Sequence, residues 1–207
     1  MPHKDKYRSY EELSTFEEEG DDYQVEVISG QGRSSEIVII APHRGGIEKH
    51  TSKIARNIAG KEFGLYLFEG TNQKCNFATL HITSTRFDEP RCVKIVEQSQ
   101  TAVAVHGKSG KKKAVLVGGR DDDLAEQMIT ELENAGFAAS REESGPVSGT
   151  SPQNICNRTI SNTGIQLEIY RGLRDDLDGS ESLLIKFGHS IRKVLLEHQR
   201  AIDKSNS

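Results

Sequence analysis

A histidine and a glutamate flank a glycine pair in Ala41-Pro42-His43-Arg44-Gly45-Gly46-Ile47-Glu48. The apolar run Glu36 to Ala41 leads into them and reads as a buried strand, and Ile47 to Ala59 reads as the helix that follows. His43 then sits at the carboxyl end of a strand and Glu48 in the first turn of a helix, the crevice where open α/β sheets bind ligands. A second imidazole, His106, closes the apolar run Thr101 to Val105. Two imidazoles and one carboxylate can hold a zinc ion and leave its fourth position to water, whose pKa the metal brings toward neutrality. A further carboxylate must then take the water's proton, and Glu168, in the strand-like Gly164 to Ile169, is available.

His50 is a decoy. On a helix, residues two apart point roughly 200° from one another, so Glu48 and His50 do not share a metal and His50 is expected at the surface. Each candidate also has an ordinary structural use. A histidine after a strand more often bonds within its loop, Glu48 could stabilise the positive end of its helix, and Glu168 could face solvent with Gln166.

Positioning these groups falls to short apolar strands alternating with helices. Strands are expected at Tyr23–Ile28 near an edge, Glu36–Ala41, Phe63–Phe68, Ala78–Thr83, Thr101–Val105, Ala114–Val117 and Gly164–Ile169. Helices are expected at Ile47–Ala59, Glu89–Gln98, Asp121–Ala135 and Ser180–Arg200, the last with Leu183, Leu184, Phe187, Ile191, Val194 and Leu195 at a 3.6-residue period. The pattern implies an α/β fold of three layers, α/β/α, with a mostly parallel mixed sheet. Ser140 to Pro152, rich in Gly, Ser, Thr and Pro, is expected to be a mobile loop. Residues 1–22 read as a polar, partly ordered segment, 23–202 as one catalytic domain and 203–207 as a frayed tail.

The 207 residues suit one domain, and a chain of that length buries about 70% of its unfolded surface without needing disulfides. Cys75, Cys92 and Cys156 are odd in number and lack CxxC spacing, so free thiols are expected. A net charge of −4 gives no overall pull toward nucleic acid or anionic lipid. No stretch approaches a membrane span and no apolar signal region is visible. Synthesis in the cytoplasm is expected, with release by lysis as the route outward, and a monomer is the expected state.

Ala41-Pro42-His43-Arg44-Gly45-Gly46-Ile47-Glu48 resembles the PHxGGIE motif of phage and Bacillus γ-polyglutamate hydrolases. Further segments resemble the same family in the same order: Leu65–Gly70, Leu80–Pro90, Val105-His106-Gly107 with Leu116–Gly119, and Asn154–Arg158 with Gln166–Ile169. The resemblance spans residues 20–200 and implies a zinc carboxypeptidase-like fold, one zinc ion, and cleavage of a polyanionic γ-linked glutamate polymer. By motif, His43, Glu48 and His106 match the family's zinc ligands and Glu168 the general base. One departure stands out: Arg86 precedes Phe87 where the family carries a histidine.

Every residue of such a polymer carries a free α-carboxylate, so cations are expected at the site. Arg44, Arg86, Arg120, Arg158 and Arg171 lie near expected strand ends or loops. Arg158 is the first choice, because Asn157-Arg158 is similar to the carboxylate-clamping pair of zinc carboxypeptidases. His81 and Thr83 could orient substrate or support a ligand imidazole. Lys108, Lys111, Lys112 and Lys113 read as a solvated turn, or else as a guide for a polyanion. The alternatives are a zinc amidase or deacylase acting on cell-wall peptides or N-acyl amino acids, a metal-free polymer binder, and a phage replication-associated nucleic-acid-binding protein. The last lacks aromatic interleaving and any known motif, so nucleic acid is not the expected partner.

Overall fold

In chain order the elements are α1 (Tyr10–Leu13), β1 (Tyr23–Ile28), β2 (Ser34–Gly45), α2 (Thr51–Ala59), β3 (Phe63–Gly70), α3 (Asn76–Leu80), α4 (Pro90–Glu97), β4 (Thr101–Lys108), β5 (Ala114–Gly119), α5 (Asp122–Asn134), β6 (Ala138–Arg141), β7 (Ile165–Tyr170), α6 (Arg171–Gly179) and α7 (Glu181–Ser205), with a 3-10 turn at Ile155–Asn157 before β7. The computed structural model describes residues 5–29, 34–71, 76–145 and 147–205.

Alternate residues of the central strands point to opposite faces, and each face buries its own apolar set. Ile37, Ile39, Val103, Val105, Leu167 and Ile169 meet Ile54 and Ile58 of α2, Met128 and Leu132 of α5, and Phe187 and Ile191 of α7. Val38, Ile40, Tyr66, Phe68, Ala102 and Ala104 meet Tyr7, Leu13, Phe87, Cys92, Val96 and Ile155. One seven-stranded sheet between two covering layers results, in the order β1-β3-β2-β4-β7-β5-β6. β3, β2, β4 and β7 are mutually parallel, whereas β1 is antiparallel to β3 and β5 to β7. The run of parallel strands brings the carboxyl ends of β2, β4 and β7 side by side, as the three-layer mixed sheet expected from sequence requires.

Several local expectations are corrected. Ala78–Thr83 is not a strand: Asn76 and Leu80, four residues apart, share the buried face of the short helix α3, and His81 to Thr83 continue as irregular chain. α2 starts at Thr51 rather than Ile47, leaving residues 46–50 as a turn. Described residues of the loop expected to be mobile are tied down: Ser148 is buried, its carbonyl accepts from Gly119 N–H at 2.7 Å, and Gly149 and Ser151 carbonyls accept from the Asn157 amide at 2.7 and 2.8 Å. In the N-terminal segment, Tyr7 and Leu13 lie in the second core. α7 continues to Ser205. Cys92 and Cys156 are buried free thiols, and Cys75 lies outside the described residues. Among the described residues, no helix is long and apolar enough to cross a membrane.

Candidate metal centre

A bulge aims His43. Ala41 pairs with Leu67 of β3 but Arg44 pairs with Glu69, so β2 carries one extra residue at Pro42-His43. Strict alternation would set His43 on the face of Ile39 and Ala41. The extra residue turns it to the opposite face, where its ring meets the edge of Phe87 at 6.0 Å between centroids. His106 and Glu168 need no such device. They are register partners across β4 and β7 and share the face of Ala104 and Gln166.

Glu48 reaches the same place from the turn before α2. Gly45 opens that turn in the left-handed region (φ +69), and a Cβ there would lie 2.6 Å from the Gly70 carbonyl oxygen. Any other residue would be strained and would collide with β3. Glu48 Oε2 accepts the Gly107 N–H at 2.8 Å, which ties the carboxylate to the end of β4 just beyond His106. His50 faces Asp175 and Asp178 at the surface, as expected, although it stands at the start of α2 rather than inside it.

The donor atoms of His43, Glu48 and His106 all lie within 4.8 Å of one another. His43 Nδ1 is 3.1 Å from His106 Nδ1 and 3.8 Å from Glu48 Oε1, and His106 Nδ1 is 3.7 Å from Glu48 Oε2. Two nitrogens bound tetrahedrally to one zinc at ~2.05 Å stand about 3.3 Å apart, so the donor set suits such an ion. His43 Nε2 lies 2.7 Å from the Ile82 carbonyl oxygen. A carbonyl only accepts, so Nε2 carries the hydrogen and Nδ1 presents its lone pair to the centre. Ser84 Oγ lies 3.4 Å from His106 Nε2.

Both rings are almost fully buried. Burial, with His81 alongside, holds His43 well below the usual imidazole range, so it is neutral. Burial also disfavours charge on His106, but the Glu48 and Glu168 carboxylates together outweigh it and raise His106. Glu168 is buried as well, and burial lifts it to about 7, with Glu48 adding to the rise and His106, Lys108 and Gln166 opposing it. A bound dication would lower it. Gln166 holds this carboxylate in place: its Nε2 donates to Glu168 Oε1 and to the Val147 carbonyl, both at 3.0 Å, and its Oε1 accepts from Asn154 Nδ2 at 2.7 Å. Sequence reasoning assigned Gln166 no role. Its parity with Glu168 was the available signal.

Most of the residues expected to bind substrate make hydrogen bonds within the protein. The Asn157 amide donates to the Gly149 and Ser151 carbonyls and so fastens a loop. Arg158 donates from Nε to Gln153 O at 3.0 Å and from Nη2 to Thr85 O at 3.3 Å. It borders a cavity of ≈ 500 Å³ lined by Asp88, Pro90 and residues of α4, without any of the metal donors. Arg158→Ala is therefore expected to change kcat and KM by no more than about twofold. Steady-state kinetics check this, and a large rise in KM would return Arg158 to the site. His81, Thr83 and Arg86 all bond to Asp5. The Arg44 side chain lies outside the described residues.

Cations do border the centre by another route. A cavity of ≈ 330 Å³ opens beside Glu48 and is lined by Lys49, Phe77, Ser109, Arg171 and Arg174, among others. Arg174 is buried and donates to the carbonyls of Ile169, Lys49 and Lys108. Gly107 leaves it room, since a Cβ there would lie 2.6 Å from its guanidinium carbon. Lys108 and Lys112 lie over the Tyr170 ring, while Lys113 pairs with Asp176.

The family model described as poly-gamma-glutamate hydrolase matches residues 7–184. The chain belongs to that family. Its relatives include the UPF0714 protein YndL of Bacillus subtilis (strain 168), 38% identical over 181 residues, which are 87% of this chain and 69% of YndL. A solved bacteriophage poly-gamma-glutamate hydrolase superposes with a TM-score of 0.87 at 29% identity, covering 96% of this chain and all of that one. A zinc-free form of YndL superposes with a TM-score of 0.84 at 34% identity, covering 93% and 98%. The poly-gamma-glutamate hydrolase fold is thus shared along nearly the whole chain, and the buried His43-Glu48-His106 cluster within it is suited to a metal.

Proposed function

We propose that this chain hydrolyses the γ-glutamyl amide bonds of poly-γ-glutamate, with one zinc ion held by His43, Glu48 and His106. The carrying observation is the convergence of two Nδ1 atoms and a carboxylate at the ends of adjoining parallel strands in a member of this family. Zinc bound there would acidify a water and polarise the scissile carbonyl. Glu168, on the same face as His106 and oriented by Gln166, takes the proton of the attacking water and returns it to the departing amine. Lys49, Arg171 and Arg174, along the cavity beside Glu48, supply positive charge for the α-carboxylates of a polyanion. The polymer would lie outside the cell that makes the protein, and release by lysis would bring the two together.

Metal removal tests this reading. Treatment with a chelator should abolish the fall in molecular size of γ-polyglutamate, followed by size-exclusion chromatography. One equivalent of zinc should restore it. Peptidoglycan and N-acyl glutamates should remain intact under the same conditions. Full activity in verified metal-free protein, or preference for either of those substrates, would refute the proposal.

A further inference from the structure

Asp5 lies far from the metal donors in sequence, yet its carboxylate is buried (1% exposed) against the segment that supports His43. It accepts from His81 Nδ1 at 2.7 Å, from Thr83 Oγ1 at 2.7 Å, from the Thr83 backbone N–H at 2.8 Å, and from Arg86 Nη2. The His81 ring in turn packs against His43, with centroids 4.2 Å apart. One of these bonds differs in kind from the others. The Thr83 N–H and the Ile82 C=O belong to the same planar peptide group, and that carbonyl accepts the His43 Nε2–H at 2.7 Å. Asp5 Oδ2, the Ile82–Thr83 peptide and the His43 imidazole therefore form one continuous line of hydrogen bonds that ends at Nδ1 in the metal centre.

We propose that Asp5 acts through the Ile82–Thr83 peptide as the remote carboxylate partner of the ligand His43, strengthening Nδ1 as a metal donor. The proposal rests on the metal reading above. A carboxylate at the N–H end of a peptide pushes electron density toward its carbonyl oxygen, and hydrogen bonds in series reinforce one another. A stronger acceptor at Nε2–H fixes the tautomer and makes the opposite nitrogen more basic. Metal-ligating histidines commonly donate to a carboxylate or to a backbone carbonyl, and here the carbonyl is backed by a carboxylate. Asp5 supplies its full charge at neutral pH. Burial would raise its pKa, but the Thr83 hydroxyl and amide and the His81 imidazole outweigh burial and hold it below the usual value. Asp5 is thus a positioning residue, acting on the metal through His43.

The test compares zinc affinities, by competition with a chromophoric chelator, for the wild type, Asp5→Asn and Thr83→Val, alongside metal-free melting temperatures. Asp5→Asn keeps shape and an acceptor oxygen but removes the charge, and should weaken zinc binding by about 10- to 100-fold. Thr83→Val removes one tether to Asp5 and keeps the peptide N–H, so its zinc affinity should stay within about twofold of wild type. Zinc affinity of folded Asp5→Asn within twofold of wild type would overturn the relay. So would equal losses in both variants that follow their melting temperatures, the behaviour of a plain tether. Cobalt-substituted wild type gives a check that needs no variant: its NMR spectrum should contain a slowly exchanging, strongly shifted Nε2–H resonance from His43. Ligation through Nε2 would overturn the relay. A wild-type chain that binds no zinc refutes the metal reading and the relay together, whereas zinc-binding wild type matched by Asp5→Asn refutes the relay alone.

Discussion

Glu168→Gln should keep one equivalent of zinc bound and lower kcat by about 10²- to 10⁴-fold, the usual contribution of a positioned general base. The substitution keeps the size of the side chain. It also keeps an oxygen that can accept from Gln166 Nε2, so β7 and its pairing with His106 are preserved. What disappears is the ability to take a proton. Glu168 lies outside the group of mutually close donors formed by His43, Glu48 and His106, so removing its charge leaves the metal's protein ligands in place. KM should change little, because the loss falls on the transition state. Metal analysis of the purified variant beside its kinetics decides the outcome. Strong residual turnover in metal-replete Glu168→Gln would remove the base assignment. Loss of zinc would recast Glu168 as part of the metal's support.

The convergence of His43, Glu48 and His106 was legible in the sequence because each member marks an ending. His43 follows the apolar run of β2 across Pro42, His106 closes the run of β4, and Glu48 follows the Gly-Gly turn. Apolar runs of this kind also revealed β2, β3, β4, β5 and β7. The substrate itself was legible only through the resemblance, since no spacing specifies a γ-linked polymer. Other features follow from tertiary contacts that no local pattern records. The bulge at Pro42-His43 exists only relative to β3, and without it the alternation rule puts His43 on the wrong face. α6 offers little more than Leu173 and Leu177 as buried apolar residues in a charged segment, too thin a stripe for its period to stand out. Ala78–Thr83 alternates like a strand, but β1 already covers the outer edge of β3 and Asp5 claims the His81–Thr83 segment.

The residues expected to bind substrate share one feature, that their polar groups bond within the protein. Side-chain type was read without knowing what backbone lay nearby. Asn157 and Arg158 resemble a carboxylate clamp in composition, yet their donors meet the carbonyls of Gly149, Ser151, Gln153 and Thr85. Buried donors go to whatever acceptor the fold brings to them, and main-chain carbonyls are the most abundant. Arg86 illustrates the converse. It stands where the resemblance sets a histidine, and its guanidinium bonds to Asp5, which also accepts from His81 and Thr83.

Glu48→Gln should have the larger effect, because it removes the metal together with its chemistry. An amide oxygen is neutral and a poor zinc ligand beside a carboxylate, although it can still accept the Gly107 N–H. Losing several kcal/mol of transition-state charge stabilisation corresponds to about 10³-fold or more in rate. A thermal measurement separates this from a folding defect, which is a real concern because Glu48 also faces the buried Arg174. Zinc at about 100 times its Kd stabilises a folded protein by ~2.7 kcal/mol, and for a chain of this size that is a rise in Tm of about 5–10 °C. Wild type should show that rise, and Glu48→Gln should melt at one temperature with or without zinc. The metal-free forms of the two proteins supply the baseline for any cost to Arg174. A zinc-dependent rise of equal size in Glu48→Gln would exclude Glu48 as a ligand and leave His43 and His106 to find their third donor elsewhere, with Glu168, the register partner of His106, the nearest by topology.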